Sequence, residues 1–258
     1  MYADDFKVYR EIGDTEDCRK LQSDLDSISC WFQSNNMYLN ADKCSVITYT
    51  RKVNVFKFDY SLNKASLTRH NKCKDLGVEF QSNLRFSDHY NSIINKAYRA
   101  LGFVIRNSKH FKKIDSVVRL FNCLVRPHLE YAAVIWSPQT EVNINHIEKV
   151  QKRFLRYLYV RKYNEYPFLV SYKSMLTSFK IQSLYDRRCM QSVLLIYNIV
   201  NSLKYKSSFL INYVNFYVPK INLRLQNNNI FLLLCFLSFS FGCSFRQSYY
   251  YSVCKKYQ

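Results

Sequence analysis

From residue 88 onward the apolar residues recur three and four positions apart. In "DHYNSIINKAYRALGFVIRNS" one stripe carries Tyr90, Ile94, Ala97, Leu101 and Val104, with Asp88 as a candidate cap. "KIDSVVRLFNCLVRP" repeats the pattern through Ile114, Val117, Phe121, Leu124 and Val125, and Pro127 is expected to stop that helix. "NHIEKVQKRFLRYLYVRK" follows with Ile147, Val150, Phe154 and Leu158, its other face basic, and a fourth long helix is predicted over about 178–203. Side chains at this spacing share one face of a helix, so this part of the chain must bury stripes against one another. Only 4 Gly and 4 Pro occur in 258 residues, which disfavours flexible linkers and turn-dense β-sandwiches.

The first 86 residues read differently. Residues 2–9 alternate, with Tyr2, Asp4, Phe6 and Val8 on one face and Ala3, Asp5, Lys7 and Tyr9 on the other. Two short strands with Asp4-Asp5 at or near the turn would suit this. In "DTEDCRKLQSDLDSISCWFQSNN" Cys18, Leu21, Leu25, Ile28 and Phe32 predict a helix, capped by Asp14 or Thr15 and ended by Asn35-Asn36. A polar turn, Asn40-Ala41-Asp42-Lys43, leads to a β-branched strand around Val46-Ile47-Thr48-Tyr49. A further strand pair is expected at 53–60 and 65–69, and "CKDLGVEFQSNLRF" reads as strand, turn and short return.

The fold class is therefore α+β, mixed over 1–86, helical over 87–160 and again over 161–229, with a hydrophobic tail at 230–258. Within that tail "IFLLLCFLSFSFGC" is an uncharged run of 14 residues. A spanning helix needs roughly 20 apolar residues, so a membrane span is not expected. Buried, interfacial and degenerate readings of the run stay open.

Charge is uneven. Residues 1–60 carry 8 basic and 10 acidic side chains, whereas 61–258 carry 30 and 9. A basic body of that kind suits a polyanion, nucleic acid first, although a merely basic protein would look the same. The nine cysteines are scattered, odd in number and free of any Cys-x-x-Cys, which argues against zinc. The acidic opening "MYADDFKVYREIGDTED" is unlike a secretory signal, so an intracellular protein, nuclear or cytoplasmic, with reduced thiols is expected.

Two adjacent carboxylates have a plain reading as a turn or a cap. On a hairpin tip flanked by hydrophobic residues they also make a pair of hard oxygen ligands. Magnesium favours such a site, taking few protein oxygens and completing its shell with phosphate and water. Two such ions can activate a 3′-hydroxyl and stabilise a pyrophosphate leaving group.

"YADDFKVY" resembles the YADD/FADD box of reverse transcriptases. "LQSDLDSISCWFQSNNMYLNADKCSVITYTRK" is similar to the segment that follows this box in jockey-like, non-LTR retrotransposon polymerases. "KDLGVEFQSNLRFSDHYNSIINKAYRALGFVIRNSKHF", "LVRPHLEYAAVIWSP" and "NHIEKVQKRFLRYL" continue the likeness in order, over about residues 1–160. The resemblance implies RNA-directed DNA polymerase chemistry, a two-metal magnesium site, and an RNA template with a DNA primer as partners. It matches Asp4 and Asp5 to the palm's metal ligands, Asp4 the firmer one. It matches Lys43 to a lysine-bearing loop beside the nucleotide, where an ordinary turn lysine is the alternative. Leu76 and Gly77 fall at the primer-grip hairpin, and Gly77 either supplies a positive φ there or is a plain turn glycine. The helices over 87–160 would form a thumb whose Lys96, Arg99, Arg106, Lys109, Lys112 and Lys113 meet template–primer phosphates. Trp136 reads as a core anchor rather than a base stacker.

The family's third metal carboxylate, its fingers and the endonuclease of such elements precede the YADD box. The chain alone is thus expected to be catalytically incomplete, with the edge of the YADD hairpin left open. A non-catalytic nucleic-acid-binding module and a functionless relic of a decayed element are the alternatives.

Overall fold

The computed structural model describes residues 6–52 and 57–201, together with the backbone of 249–254. Two compact units emerge, one of Met1–His89 with Ser244–Gln258 and one of Tyr90–Cys243. Helices and small sheets share the chain, an α+β composition.

The first unit contains β1 (Lys7–Ile12), α1 (Thr15–Ser34), β2 (Ser45–Tyr49), the short β3 (Ser61–Leu62) and β4 (Ala65–Ser66), β5 (Thr68–His70), β6 (Lys72–Asp75), β7 (Val78–Gln81) and β8 (Tyr249–Cys254). Its largest sheet has the order β1-β8-β2-β5. β8 pairs antiparallel with both β1 and β2, so those two run parallel and α1 is the crossover between them. β1 pairs on one side with β8, from Lys7 opposite Cys254 to Ile12 opposite Tyr249, and is the terminal strand of that sheet, so among the described residues its other side stays an edge.

Local chemistry sets α1. Asp14 accepts from the Asp17 N–H at 2.9 Å, and Asp17 in return accepts from the Gly13 N–H at 3.0 Å. That Gly13 hydrogen bond is the main reason the Asp17 carboxyl is held below its ordinary value. Cys18, Leu21 and Leu25 pack with Ile12, Cys44, Val46, Tyr60, Leu62 and Leu67 into one core.

The strand pair expected at 53–60 and 65–69 forms later in the chain. Residues 57–60 carry no strand, 53–56 lie outside the described residues, and β3 pairs with β4. Asn63 and Lys64, at φ 52 and 67, make a two-residue turn that fixes this register. The Gln22 amide both donates to the Ser61 carbonyl at 2.9 Å and accepts from its N–H at 3.0 Å, so α1 holds β3 as a neighbouring strand would.

The second unit holds most of α2 (Ser87–Asn107), then α3 (Ile114–Leu120), a π-helical turn at Phe121–Val125, α4 (Arg126–Glu130), α5 (Ala133–Trp136), α6 (Glu141–Tyr163), α7 (Tyr172–Phe179) and α8 (Leu184–Val200). Its core includes Leu101, Val117, Phe121, Trp136, Phe154 and Leu158, with the Phe121 and Phe154 rings stacked at 4.0 Å. Trp136 is a core anchor: its indole donates to the Tyr131 carbonyl at 2.8 Å, and Tyr90 donates to the Trp136 carbonyl at 2.9 Å.

Three helix boundaries depart from expectation. Asp88 lies inside the first turn of α2 and forms an ion pair with Lys72. Pro127 does not stop its helix. The widened turn at Phe121–Val125 re-sets the ladder, and Pro127 falls at the start of α4, where no N–H is required. The helix predicted over 178–203 is two helices, because Lys180 adopts a left-handed cap at φ 52 and Ser183 then caps α8 by accepting from the Asp186 N–H.

Among the described residues no helix is long and apolar enough to cross a membrane. The run at 230–243 lies outside them.

Candidate functional site

In the first unit, Asp4 and Asp5 lie outside the described residues. The description begins beside them in sequence, at Phe6, and β1 starts at Lys7. The Lys7 ammonium is ion-paired to Asp75, with both side chains about three-quarters buried. Asp75 closes β6, and the next two residues are Leu76 and Gly77. The pair therefore ties the Leu76-Gly77 turn to the entry of β1.

That turn has a definite geometry. Asp75 pairs with Val78 across a two-residue loop in which Leu76 has φ 43 and Gly77 φ 86. Two consecutive positive φ values define the hairpin turn whose twist matches the strands it joins. Gly77 bears this without strain, whereas Leu76 is an unfavoured residue there and leaves its side chain 47% exposed.

Lys43 is the last residue of the short Ala41–Lys43 helix that leads into β2. Asn40 fixes this turn by accepting from the Asp42 and Lys43 N–H groups. Lys7 of β1 and Ser45 of β2 both register with Cys254, so Lys43, two residues before Ser45, stands at the same end of the sheet as the entry of β1. Its side chain is exposed. The structure thus groups the turn at 76–77, Lys43 and the start of β1 at one end of one unit.

In the second unit, Lys96, Arg99 and Arg106 sit at positions i, i+3 and i+10 of α2, on one face, with Phe103 between them at 54% exposed. Lys96 is half-buried; Arg99 and Arg106 are exposed. A Cβ on Gly102 would lie 3.3 Å from the Arg106 Nη1, so the glycine leaves space for the guanidinium against the helix.

Lys109, Lys112 and Lys113 follow in the connection to α3, and all three are exposed. That connection is clamped from α6. One Arg161 guanidinium donates to the carbonyls of Ser108 at 2.5 Å, of Lys109 at 3.3 Å and of Phe111, and to the Tyr157 hydroxyl at 2.9 Å. Ser108 and Tyr157 also share a hydrogen bond at 3.0 Å. A guanidinium fork is suited to several carbonyls at once. Lys109, Lys112 and Lys113 are thus carried on a backbone that is held in place, although they lie in no helix or strand.

Reading the sequence missed Arg161 and Phe103. Phe103 could have been found as an aromatic on the basic face of α2. For Arg161 the i, i+4 spacing to Tyr157 is the only local sign, and its main partners lie 50 or more residues away in sequence. Among the described residues, no group of three or more His, Cys, Asp or Glu side chains is placed to hold a metal ion.

No family model matches the chain, and no solved structure matches it. Two curated proteins do. Over 158 residues, 60% of the chain, it is 26% identical to the RNA-directed DNA polymerase from mobile element jockey of Drosophila funebris. Over 141 residues, 53% of the chain, it is 26% identical to the protein of the same name from Drosophila melanogaster. The matched segments make up only 17% and 15% of those proteins. These likenesses support a jockey-like, non-LTR reverse transcriptase relationship: the chain is similar to a minor part of the jockey RNA-directed DNA polymerases.

Proposed function

We propose that this chain is the portion of a jockey-like RNA-directed DNA polymerase that carries the second half of the palm and the thumb-like helices after it. The observation that carries the reading is the Lys7–Asp75 ion pair. It joins two segments that are far apart in sequence, the one following the aspartate pair and the one resembling the primer grip.

On this reading Asp4 and Asp5 hold magnesium. Adjacent carboxylates are the hard oxygen donors that ion takes, and when bound the metal activates the primer 3′-hydroxyl and offsets charge on the leaving pyrophosphate. Lys43, at the end of the sheet where β1 begins, steadies the nucleotide phosphates. The turn at 76–77 brings backbone close to the primer, a role for which a glycine without Cβ is suited. In the second unit the α2 face and the clamped connection after it meet the phosphates of the RNA–DNA duplex. On this reading the chain binds that duplex through these two segments.

Photo-crosslinking of an RNA–DNA hybrid to the full chain tests the reading. Crosslinked peptides are expected from 76–77 and from 96–113. Crosslinks confined to other segments would overturn it. Primer extension with magnesium by the same chain, if robust and abolished by Asp4→Ala, would show that the chemical step needs nothing more.

A further inference from the structure

We infer that α6 carries a second nucleic-acid track, for an unpaired strand, along Lys149, Lys152, Arg156, Tyr159 and Tyr163. These residues follow one another at spacings of three, four, three and four, so they share one face of the helix. The buried side chains Ile147, Val150, Phe154 and Leu158 belong to the other face; the buried Glu148 and Leu155 flank the track, along which Lys149, Arg156 and Tyr163 are exposed and Lys152 and Tyr159 half-buried. At 1.5 Å per residue the track is about 21 Å long.

Its order is cationic first and aromatic last. Tyr159 and Tyr163 lie 4.6 Å apart, and the Lys162 ammonium stands 5.0 Å from the Tyr163 ring and 5.5 Å from the Phe179 ring. Lys152 likewise stands 5.1 Å from the Tyr172 ring. None of Lys149, Lys152, Arg156 and Lys162 is ion-paired to a carboxylate among the described residues. Beyond the helix, Tyr166 and Phe168 form another ring pair at 4.7 Å, and Phe168 is 85% exposed.

Cations resting on rings, with further rings exposed, complement a partner that offers both phosphates and flat faces. A single strand does so, because its unstacked bases can lie on aromatic side chains while its backbone follows the cations. A duplex hides those faces. The inference therefore concerns a different helix and a different form of nucleic acid from the polymerase reading, and it stands or falls separately.

Fluorescence anisotropy of the full chain with labelled oligo(U) of about 16 nucleotides tests it. Tyr159→Ala with Tyr163→Ala is expected to weaken oligo(U) binding about tenfold or more. Tyr159→Phe with Tyr163→Phe, which keeps the rings, is expected to restore it. Removing Lys149, Lys152 and Arg156 as alanines should lower the salt dependence by about two ions, at about 0.7 per phosphate contact on single strands. Unchanged binding by the alanine pair, with unchanged thermal stability, would overturn the inference. So would binding to phosphatidylserine vesicles without binding to oligo(U). Loss of hybrid-duplex binding in Arg99→Ala with Arg106→Ala, at unchanged oligo(U) affinity, would separate the two tracks. Equal duplex binding by that variant would count against the α2 face alone.

Discussion

Lys7 is ion-paired to Asp75, across 68 positions of sequence, and the pair ties the Leu76-Gly77 turn to the first residue of β1. Neither side chain is fully buried, so some solvent screening remains. A double-mutant cycle of Lys7→Ala and Asp75→Ala in urea unfolding should give a coupling of about 1 kcal/mol. The charge-swapped double variant should recover part of it. Additive effects of the two single changes would mean that the pair does not hold the hairpin.

The turn offers a prediction of opposite sign at its two positions. Gly77→Ala forces a Cβ into φ 86 and should cost about 1 kcal/mol. Leu76→Asn makes the sequence Asn-Gly, the one preferred where two successive residues have positive φ, and should stabilise by a few tenths to about 1 kcal/mol. Chemical denaturation reads both. Loss of stability in both variants would contradict the turn geometry.

Arg161→Ala should release the connection between α2 and α3. Hydrogen bonds from a charged donor contribute about 1.5–3 kcal/mol, and here several are lost together, the one to the buried Ser108 among them. Amide hydrogen exchange at 108–113 should rise far more than in the cores of α2 and α6. Uniform exchange changes across the unit would mean general destabilisation rather than loss of a clamp.

Burial pushes the Tyr90 phenol up to about 12, against a smaller opposing pull from Arg188. A raised folded pKa means that the folded state keeps its proton where the unfolded chain has lost it. The stability this group confers is full below about pH 10 and is lost as pH rises through about 12. Tyr90→Phe removes the hydrogen bond to the Trp136 carbonyl, at about 1 kcal/mol near neutral pH, and should flatten the decline above pH 10. An equally steep decline in the variant would show that other groups drive it.

How much of this was legible depended on the range of the forces involved. The start and end of α1 were readable because Asp14, Asp17 and Asn35 act within four residues of the helix ends. The turn at Gly77 was readable for the same local reason. Pro127 does not end its helix because the π-helical turn at Phe121–Val125 precedes it, and that turn has no sequence mark of its own. The break between α7 and α8 was passed over because the apolar periodicity continues through it, although Ser183 and Asp186 spell a cap. The place of β8 between β1 and β2 rests on pairing from the far end of the chain, which no local pattern encodes. The basic residues of α2 were nominated from charge and resemblance. That they share a face with Phe103 was readable from the helical spacing, whereas Arg161 holding the connection that follows rests on contacts 50 or more residues apart in sequence.

The central claim is that the α2 face and its clamped connection bind the phosphates of an RNA–DNA duplex. The most direct measurement is the affinity of the full chain for a short RNA–DNA hybrid across a salt series, compared with Arg99→Ala plus Arg106→Ala. The account predicts that log Kobs falls steeply with log salt and that the variant binds more weakly, with its slope reduced by about two, at roughly 0.9 per contact. A wild-type affinity indifferent to salt, or a variant with the wild-type slope, would contradict it.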